Sequence, residues 1–415
     1  MKILFVATYP TQATGYARIG NKITNFLASK EGVKVYYFGF QNYNGMKVER
    51  EYHPNIEFID VEKEEKAIGS KEIFGVDIIK TWMDKIRPDV LFIYNDIIVI
   101  SRIYNELIEY RKQNNYYKTV TYLDLVYDYE KYEYIHHMNR HSDLIFVFTE
   151  HWKENLVKMG LPENKIKIFY HGFDDKLFFK MDKQLARSKI GLENDDFIVL
   201  NTNRNSYRKG LDITIFGFLE FLKMNDCKSN IKLFLNNLIE IPEGYDIMQT
   251  IRVGCIKYDL DFDKVTNNHI LRIPQSSGLL SDEKLNEIYN SCDVGVNSCI
   301  GEGFGLCNME QACLGKPQII SHVGGLRDLF KEDFCIKVEP KCIISLANSI
   351  DGHNGDVGIC DSRDFALAMN YYYHNPEKRL SDGENVEKIM RERCNWKVLL
   401  DQFYYDFIQF YYSKN

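Results

Sequence analysis

Short apolar runs alternate with stretches of helical spacing along most of the chain. Lys2–Thr8, Val33–Phe40, Ile56–Val61, Val90–Tyr94, Thr119–Leu123, Leu144–Phe148 and Ile166–Tyr170 read as strands. Between the first two, Ile19, Ile23, Phe26 and Leu27 share one side of a helix predicted over Ala17–Ser29. A second series of strands starts at Phe197–Asn201 and continues with Ile231–Leu235, Ile270–Ile273, Val294 to Val296 and Gln318–Ser321. Helices are expected over Leu211 to about Lys223, over Ser281–Tyr289 with Ser281 as N-cap, and over Leu306–Leu314. Strand, turn, helix, strand is the opening of a Rossmann-like parallel sheet, and here it occurs twice. The polar stretch Asp174–Asp196 lies between the two series. The predicted fold class is therefore α/β with two Rossmann-like domains, 1–174 and 175–390, and a final helical segment, 391–415.

Composition narrows the classes. A chain of 415 residues, 45% hydrophobic, is long enough for two cores. A net charge of −7 and the absence of a basic domain argue against nucleic acid as the main partner. Ten cysteines occur without C-x-x-C pairs, which suits a reducing, cytoplasmic compartment. The opening MKILFVATYP reads as a strand stopped by Pro10, not as a signal peptide. No stretch approaches the ~18 consecutive apolar residues of a membrane span.

The chemistry gathers in residues 294–325, VGVNSCIGEGFGLCNMEQACLGKPQIISHVGG. A strand end is followed by the glycine loop Gly301-Glu302-Gly303-Phe304-Gly305, a helix, the stop Gly315-Lys316-Pro317 and a second strand. Glycines let backbone approach a ligand, and free N–H groups at a helix start favour an anion. Glu310 falls at the edge of the helix's apolar face, where a carboxylate wants hydrogen-bond donors such as sugar or ribose hydroxyls. Upstream, Arg204 and Lys209 stand five apart in the loop before Leu211, so two cations flank another helix start.

Glu302, seven residues and Glu310 resemble the E-x7-E signature of retaining glycosyltransferases of the GT-B fold. The surrounding E-G-F-G-L, the E and G-K-P are similar to glycosyltransferase family 4. Arg204 to Gly210 resembles that family's R-x4-K-G diphosphate clamp, and L-x-x-x-Y-x-x-C-D-V before Val294 resembles the segment preceding its E-x7-E. His171-Gly172-Phe173-Asp174 is similar to its turn into the interdomain linker, and Gly15-Tyr16-Ala17-Arg18 to its glycine-rich first loop, with one glycine where the fuller pattern has two.

The resemblance implies an interdomain cleft, a metal-independent hexosyltransferase without cofactor, and a UDP- or GDP-sugar donor held by the second domain. It implies that Glu310 takes the ribose hydroxyls, Glu302 the transferred hexose, and Arg204 and Lys209 the leaving diphosphate. Gly303, Phe304, Gly305 and Leu306 would present backbone N–H groups, and Gly15 would line the first-domain side. Glycan, lipid or protein acceptors fit equally, and peripheral membrane contact is left open. The last helix, with Val398, Leu399, Phe403, Phe407 and Phe410, would return to the first domain. One departure stands out: the strand Thr119–Leu123 ends in Asp124, where many family members carry a histidine. Asp124 is accordingly expected to line the cleft, the alternative being a turn cap. Two rival readings are a GT-A enzyme holding a metal on Asp259-Leu260-Asp261 and a non-catalytic carbohydrate-binding protein.

Overall fold

In the computed structural model, residues 1–44, 47–235, 244–272, 280–349 and 351–413 are described. The chain forms two compact units. Unit 1 comprises Met1–His171, Leu346–Gly355 and Trp396–Asn415; unit 2 comprises Gly172–Ser345 and Asp356–Asn395.

Unit 1 is built on strands β1 (Lys2–Thr8), β2 (Lys34–Phe40), β3 (Ile56–Asp60), β4 (Val90–Asp96), β5 (Lys118–Asp124), β6 (Leu144–Val147) and β7 (Ile166–Ile168). They make one parallel sheet in the order β3-β2-β1-β4-β5-β6-β7. Helices cover both faces of such a sheet, so its central strands read as unbroken apolar runs. Ile3 to Ala7 and Val90 to Ile93 are fully buried. The helix Trp396–Tyr412 belongs to this unit and is held by aromatic contacts. Phe403 lies 4.9 Å from Phe146 and 4.7 Å from Phe169, ring centre to ring centre. Its buried side is Trp396, Leu400, Phe403 and Phe407, spaced by four, three and four. Val398 falls off that stripe and is 62% exposed, so it is not one of the expected apolar contacts.

Unit 2 repeats the plan with β8 (Phe197–Asn201), β9 (Ile231–Leu235), β10 (Ile270–Arg272), β11 (Val294–Asn297), β12 (Gln318–Ser321) and β13 (Ile336–Val338). All pairings are parallel, in the order β10-β9-β8-β11-β12-β13. Ile273, expected at the end of β10, lies outside the described residues. A further pair, β14 (Cys342–Leu346) and β15 (Gly355–Ile359), forms a hairpin that sequence patterning did not show. Its tip counts with unit 1, where Tyr127 Oη donates to Asp351 Oδ2 at 2.7 Å and the buried Glu130 meets His353 Nδ1 at 3.0 Å.

Each sheet reverses its strand order once, between β1 and β4 and between β8 and β11. In open parallel sheets ligands bind beyond the carboxyl ends of the strands at such a switch point. The two-unit parallel α/β architecture is that of the GT-B fold.

Candidate functional site

At the switch point of unit 2 two loops meet. One follows β8 and ends at Gly210; the other follows β11 and ends at Gly305. Gly210 has φ +56°, and a Cβ there would sit 2.3 Å from the Ser298 carbonyl oxygen, so only glycine lets the loops close. Ser298 Oγ donates to the Gly210 carbonyl at 2.7 Å, and the Ile300 N–H to the Arg208 carbonyl at 2.9 Å. Gly305 has φ +89°, with Leu326 Cδ2 2.5 Å from where a Cβ would be.

These loops bring Lys209 and Glu302 together as an ion pair, with side chains 12% and 9% exposed. Asn297 Nδ2 donates to Glu302 Oε2 at 3.4 Å, and Arg208 Nη1 stands 3.8 Å from Oε1. Burial pushes the Glu302 carboxyl up, but the Lys209 and Arg208 charges and the hydrogen bonds outweigh it and hold it below the usual range. Glu302 is therefore ionised at neutral pH. Behind it runs a buried amide chain. Asn297 Nδ2 donates to Asn308 Oδ1 at 2.8 Å, and Asn308 Nδ2 to Gln318 Oε1 at 2.7 Å. This chain ties the helix Leu306–Cys313 to β11 and β12.

Both loops end in helix starts without a side-chain cap, at Gly210 before Leu211–Met224 and at Gly305 before Leu306–Cys313. Their first N–H groups suit an anion, and Leu306 opens the second helix. Phe304 is 2% exposed, so its ring packs inward and only its backbone can face a ligand.

Glu310 sits on that second helix and is 3% exposed, more enclosed than the edge position the helical spacing suggests. Its Oε2 accepts a hydrogen bond of 2.9 Å from Tyr289 Oη. No spacing in the sequence marks the Tyr289 hydroxyl, which meets Glu310 across 21 residues of chain. Arg204 is exposed, and within the same loop it is Arg208 that reaches the Gly301 carbonyl, at 2.8 Å, and approaches Glu302. The structure thus joins Lys209, Glu302 and Arg208, and leaves Arg204 at the surface.

In unit 1 the corresponding edge carries Gly15 as the first residue of the helix Gly15–Ala28, capped by Thr14. Asp124 ends β5 directly opposite Asp96 of β4. Tyr16 donates its hydroxyl to Asp124 Oδ2. Burial, then the Asp124 and Asp96 charges, push the Tyr16 phenol well above its ordinary value, so it remains a donor. Asp96 caps the helix Ile97–Gln113, accepting from Val99 N at 2.9 Å. His171, 2% exposed, is bonded to Tyr122 Oη at 2.9 Å; burial and Arg18 push it down to about 3, so it is neutral.

Asp259-Leu260-Asp261 is accounted for by local structure. Asp259 takes a left-handed conformation ending the helix Ile247–Tyr258, and Asp261 accepts from Lys264 N at 3.0 Å to start Phe262–Asn268. Together with the two parallel sheets, this removes the basis for the GT-A alternative.

Residues 275–352 match the family described as Glycosyl transferases group 1. An uncharacterized glycosyltransferase, MJ1607, of Methanocaldococcus jannaschii is 25% identical over 247 residues. That alignment covers 58% of this chain and 56% of the relative, so the chain spans about half the length of that protein. Among solved structures, sucrose-phosphate synthase of Thermosynechococcus elongatus superposes with a TM-score of 0.72 at 17% identity, covering 99% of this chain and 98% of that one. HepE of Anabaena, solved with UDP and glucose, gives 0.67 at 15% identity, covering 99% and 100%. The two-unit fold is thus that of GT-B structures, and residues 275–352 match a glycosyltransferase family.

Proposed function

We propose that this protein is a retaining, metal-independent hexosyltransferase of the family 4 type, using a UDP- or GDP-sugar with glucose or mannose as the transferred hexose. The observation that carries the reading is the Lys209–Glu302 pair, which joins two glycine loops at the switch point of unit 2 between two uncapped helix starts. A nucleoside diphosphate needs cations and free N–H groups, a ribose needs a buried acceptor, and a hexose needs a second one. Lys209, the helix starts, Glu310 and Glu302 are that set. The UDP and glucose in the HepE structure favour UDP-glucose among the donors.

On this reading the bond between the anomeric carbon and the diphosphate oxygen breaks, and its electron pair leaves with the diphosphate. Lys209, drawn off Glu302 by the phosphate, stabilises that charge, and Arg204 reaches it from the surface. Loss of one such group costs about 10²–10³ in rate. Glu302, released from Lys209, accepts hydroxyls of the hexose; Glu310 accepts those of the ribose. Gly303, Phe304, Gly305 and Leu306 contribute backbone N–H groups. Asp124 serves as the hydrogen-bond acceptor for the incoming hydroxyl. The acceptor oxygen bonds to the face the diphosphate left, so the anomeric configuration is kept, and the hydroxyl proton passes to Asp124.

A thermal-shift screen of nucleotide sugars identifies the donor, because a ligand that binds the native state raises its apparent stability. Proton NMR of the first-formed product then reads the anomer, with EDTA present. Retention with undiminished rate is expected. An inverted product, or activity abolished by EDTA, would overturn the reading.

A further inference from the structure

Tyr289 is fully buried on the helix Asp282–Ser291, which leads into β11, while Glu310 lies on the helix that follows β11. Its ring packs on Phe178 with centres 5.5 Å apart. A tyrosine used only for packing gains nothing from its hydroxyl, since a buried hydroxyl must find a partner. Here that proton is committed to Glu310 Oε2 at 2.9 Å. Cys307 lies one helical turn before Glu310, with its Sγ 3.8 Å from the Thr202 carbonyl oxygen. Burial and then the Glu310 charge push its thiol up, which keeps it neutral.

An ionised carboxylate offers about four lone pairs. A vicinal diol uses two of them, and only when the carboxylate plane faces it. We infer that Tyr289 is a positioning residue that fixes the Glu310 carboxylate for the ribose diol of the nucleotide. This rests on the donor reading given above. The hydroxyl holds Oε2 from the protein side, so the remaining lone pairs keep one direction before ligand arrives. Without it the carboxylate turns freely or recruits water, and each ribose hydrogen bond must first be organised.

The test compares UDP and GDP with their 2′,3′-dideoxy forms by calorimetry, in the full-length protein and in Tyr289→Phe, which keeps the ring against Phe178. Hydrogen bonds to a charged group are worth about 1.5–3 kcal/mol, so the wild type should prefer ribose to dideoxyribose by roughly 10- to 100-fold. In Tyr289→Phe the ribonucleotide should bind several-fold more weakly and the dideoxy form about as before, so the preference shrinks. In a Glu310→Gln background, Tyr289→Phe should leave the preference unchanged. With the sugar donor, KM should rise more than kcat falls. A variant that loses affinity for both nucleotides equally, or keeps the full preference, overturns the inference and makes Tyr289 a packing residue. Wild-type protein that binds no nucleoside diphosphate overturns the donor reading itself, and the inference with it.

Discussion

Lys209 and Glu302 hold each other in the free protein, so removing either alters stability as well as transfer. Lys209→Met leaves Glu302 buried, with Arg208 Nη1 at 3.8 Å and Asn297 Nδ2 at 3.4 Å as its nearest remaining donors. Breaking a buried pair from one side costs about 3–5 kcal/mol, and these two weak partners should reduce that to about 2–4. For a unit of this size each kcal/mol lowers the midpoint by about 2–4 °C, so a fall of roughly 4–16 °C is expected. Glu302→Gln retains an acceptor for Lys209 and should cost about 1–2 kcal/mol. The double variant should be more stable than the sum of the single losses implies, with a coupling of about 1–3 kcal/mol. Trp82, Trp152 and Trp396 all lie in unit 1, so tryptophan fluorescence does not follow the affected unit and calorimetry is the assay. The pH dependence has a defined sign. A carboxyl held low in the folded state contributes stability above its unfolded value, 4.5, and loses it as the pH falls. The gap between wild type and Lys209→Met should therefore narrow below about pH 4.5. Losses that add within about 0.5 kcal/mol would refute the coupling and with it the description of one shared ion pair. All three variants should be nearly inactive in transfer, because each lacks a group assigned to the donor.

How much of this was legible beforehand depended on whether the determinant was local. Phe197–Asn201, Ile231–Leu235 and Gln318–Ser321 are strands over the residues predicted, because strands covered on both faces read as short, nearly continuous apolar runs. The E-x7-E spacing likewise marked one loop and one helix, and the structure puts both carboxylates in unit 2. What spacing could not convey was how the loop before Leu211 is held. Arg204 and Arg208 are both arginines in one loop; the 3₁₀ turn Tyr207–Lys209 and the left-handed Gly210 carry Arg208 and Lys209 to the Glu302 loop and leave Arg204 outside. Val398 lies off the buried stripe because of its position on the helix. Two residues from Leu400 on a helix is about 200° of rotation, so an apolar residue there faces solvent. The hydroxyl of Tyr289 and the tip of the β14–β15 hairpin depend on contacts distant in sequence, for which a single chain carries no periodic signal.

Two further outcomes concern unit 1. Glu65 is 2% exposed with Oε1 on the Gly75 N–H at 2.9 Å, and burial, only partly opposed by that bond, pushes its carboxyl up to about 7. A group raised in the folded state stabilises fully below its unfolded value of 4.5 and loses that contribution as the pH rises through about 7. Tryptophan-detected unfolding of wild type should therefore weaken between those values relative to Glu65→Gln by on the order of 1–3 kcal/mol; parallel curves would refute the shift. The last prediction concerns Asp124, the residue that ends β5. In the structure Asp124 Oδ2 receives the Tyr16 hydroxyl, and the neighbouring Asp96 caps the helix Ile97–Gln113. Tyr16 is held as a donor by its raised phenol, so it fixes the orientation of the Asp124 carboxylate. Asp124→Asn keeps the shape and an acceptor for Tyr16 but removes the charge that would receive an acceptor hydroxyl. Transfer should fall by roughly 10²-fold or more, as for loss of a general base, while nucleotide affinity, a property of unit 2, stays within about two-fold. Tyr16→Phe should lower transfer less, since it loosens the carboxylate without discharging it. Near-normal transfer by Asp124→Asn would make the Tyr16–Asp124 bond a structural contact alone, and the acceptor-side assignment would fall.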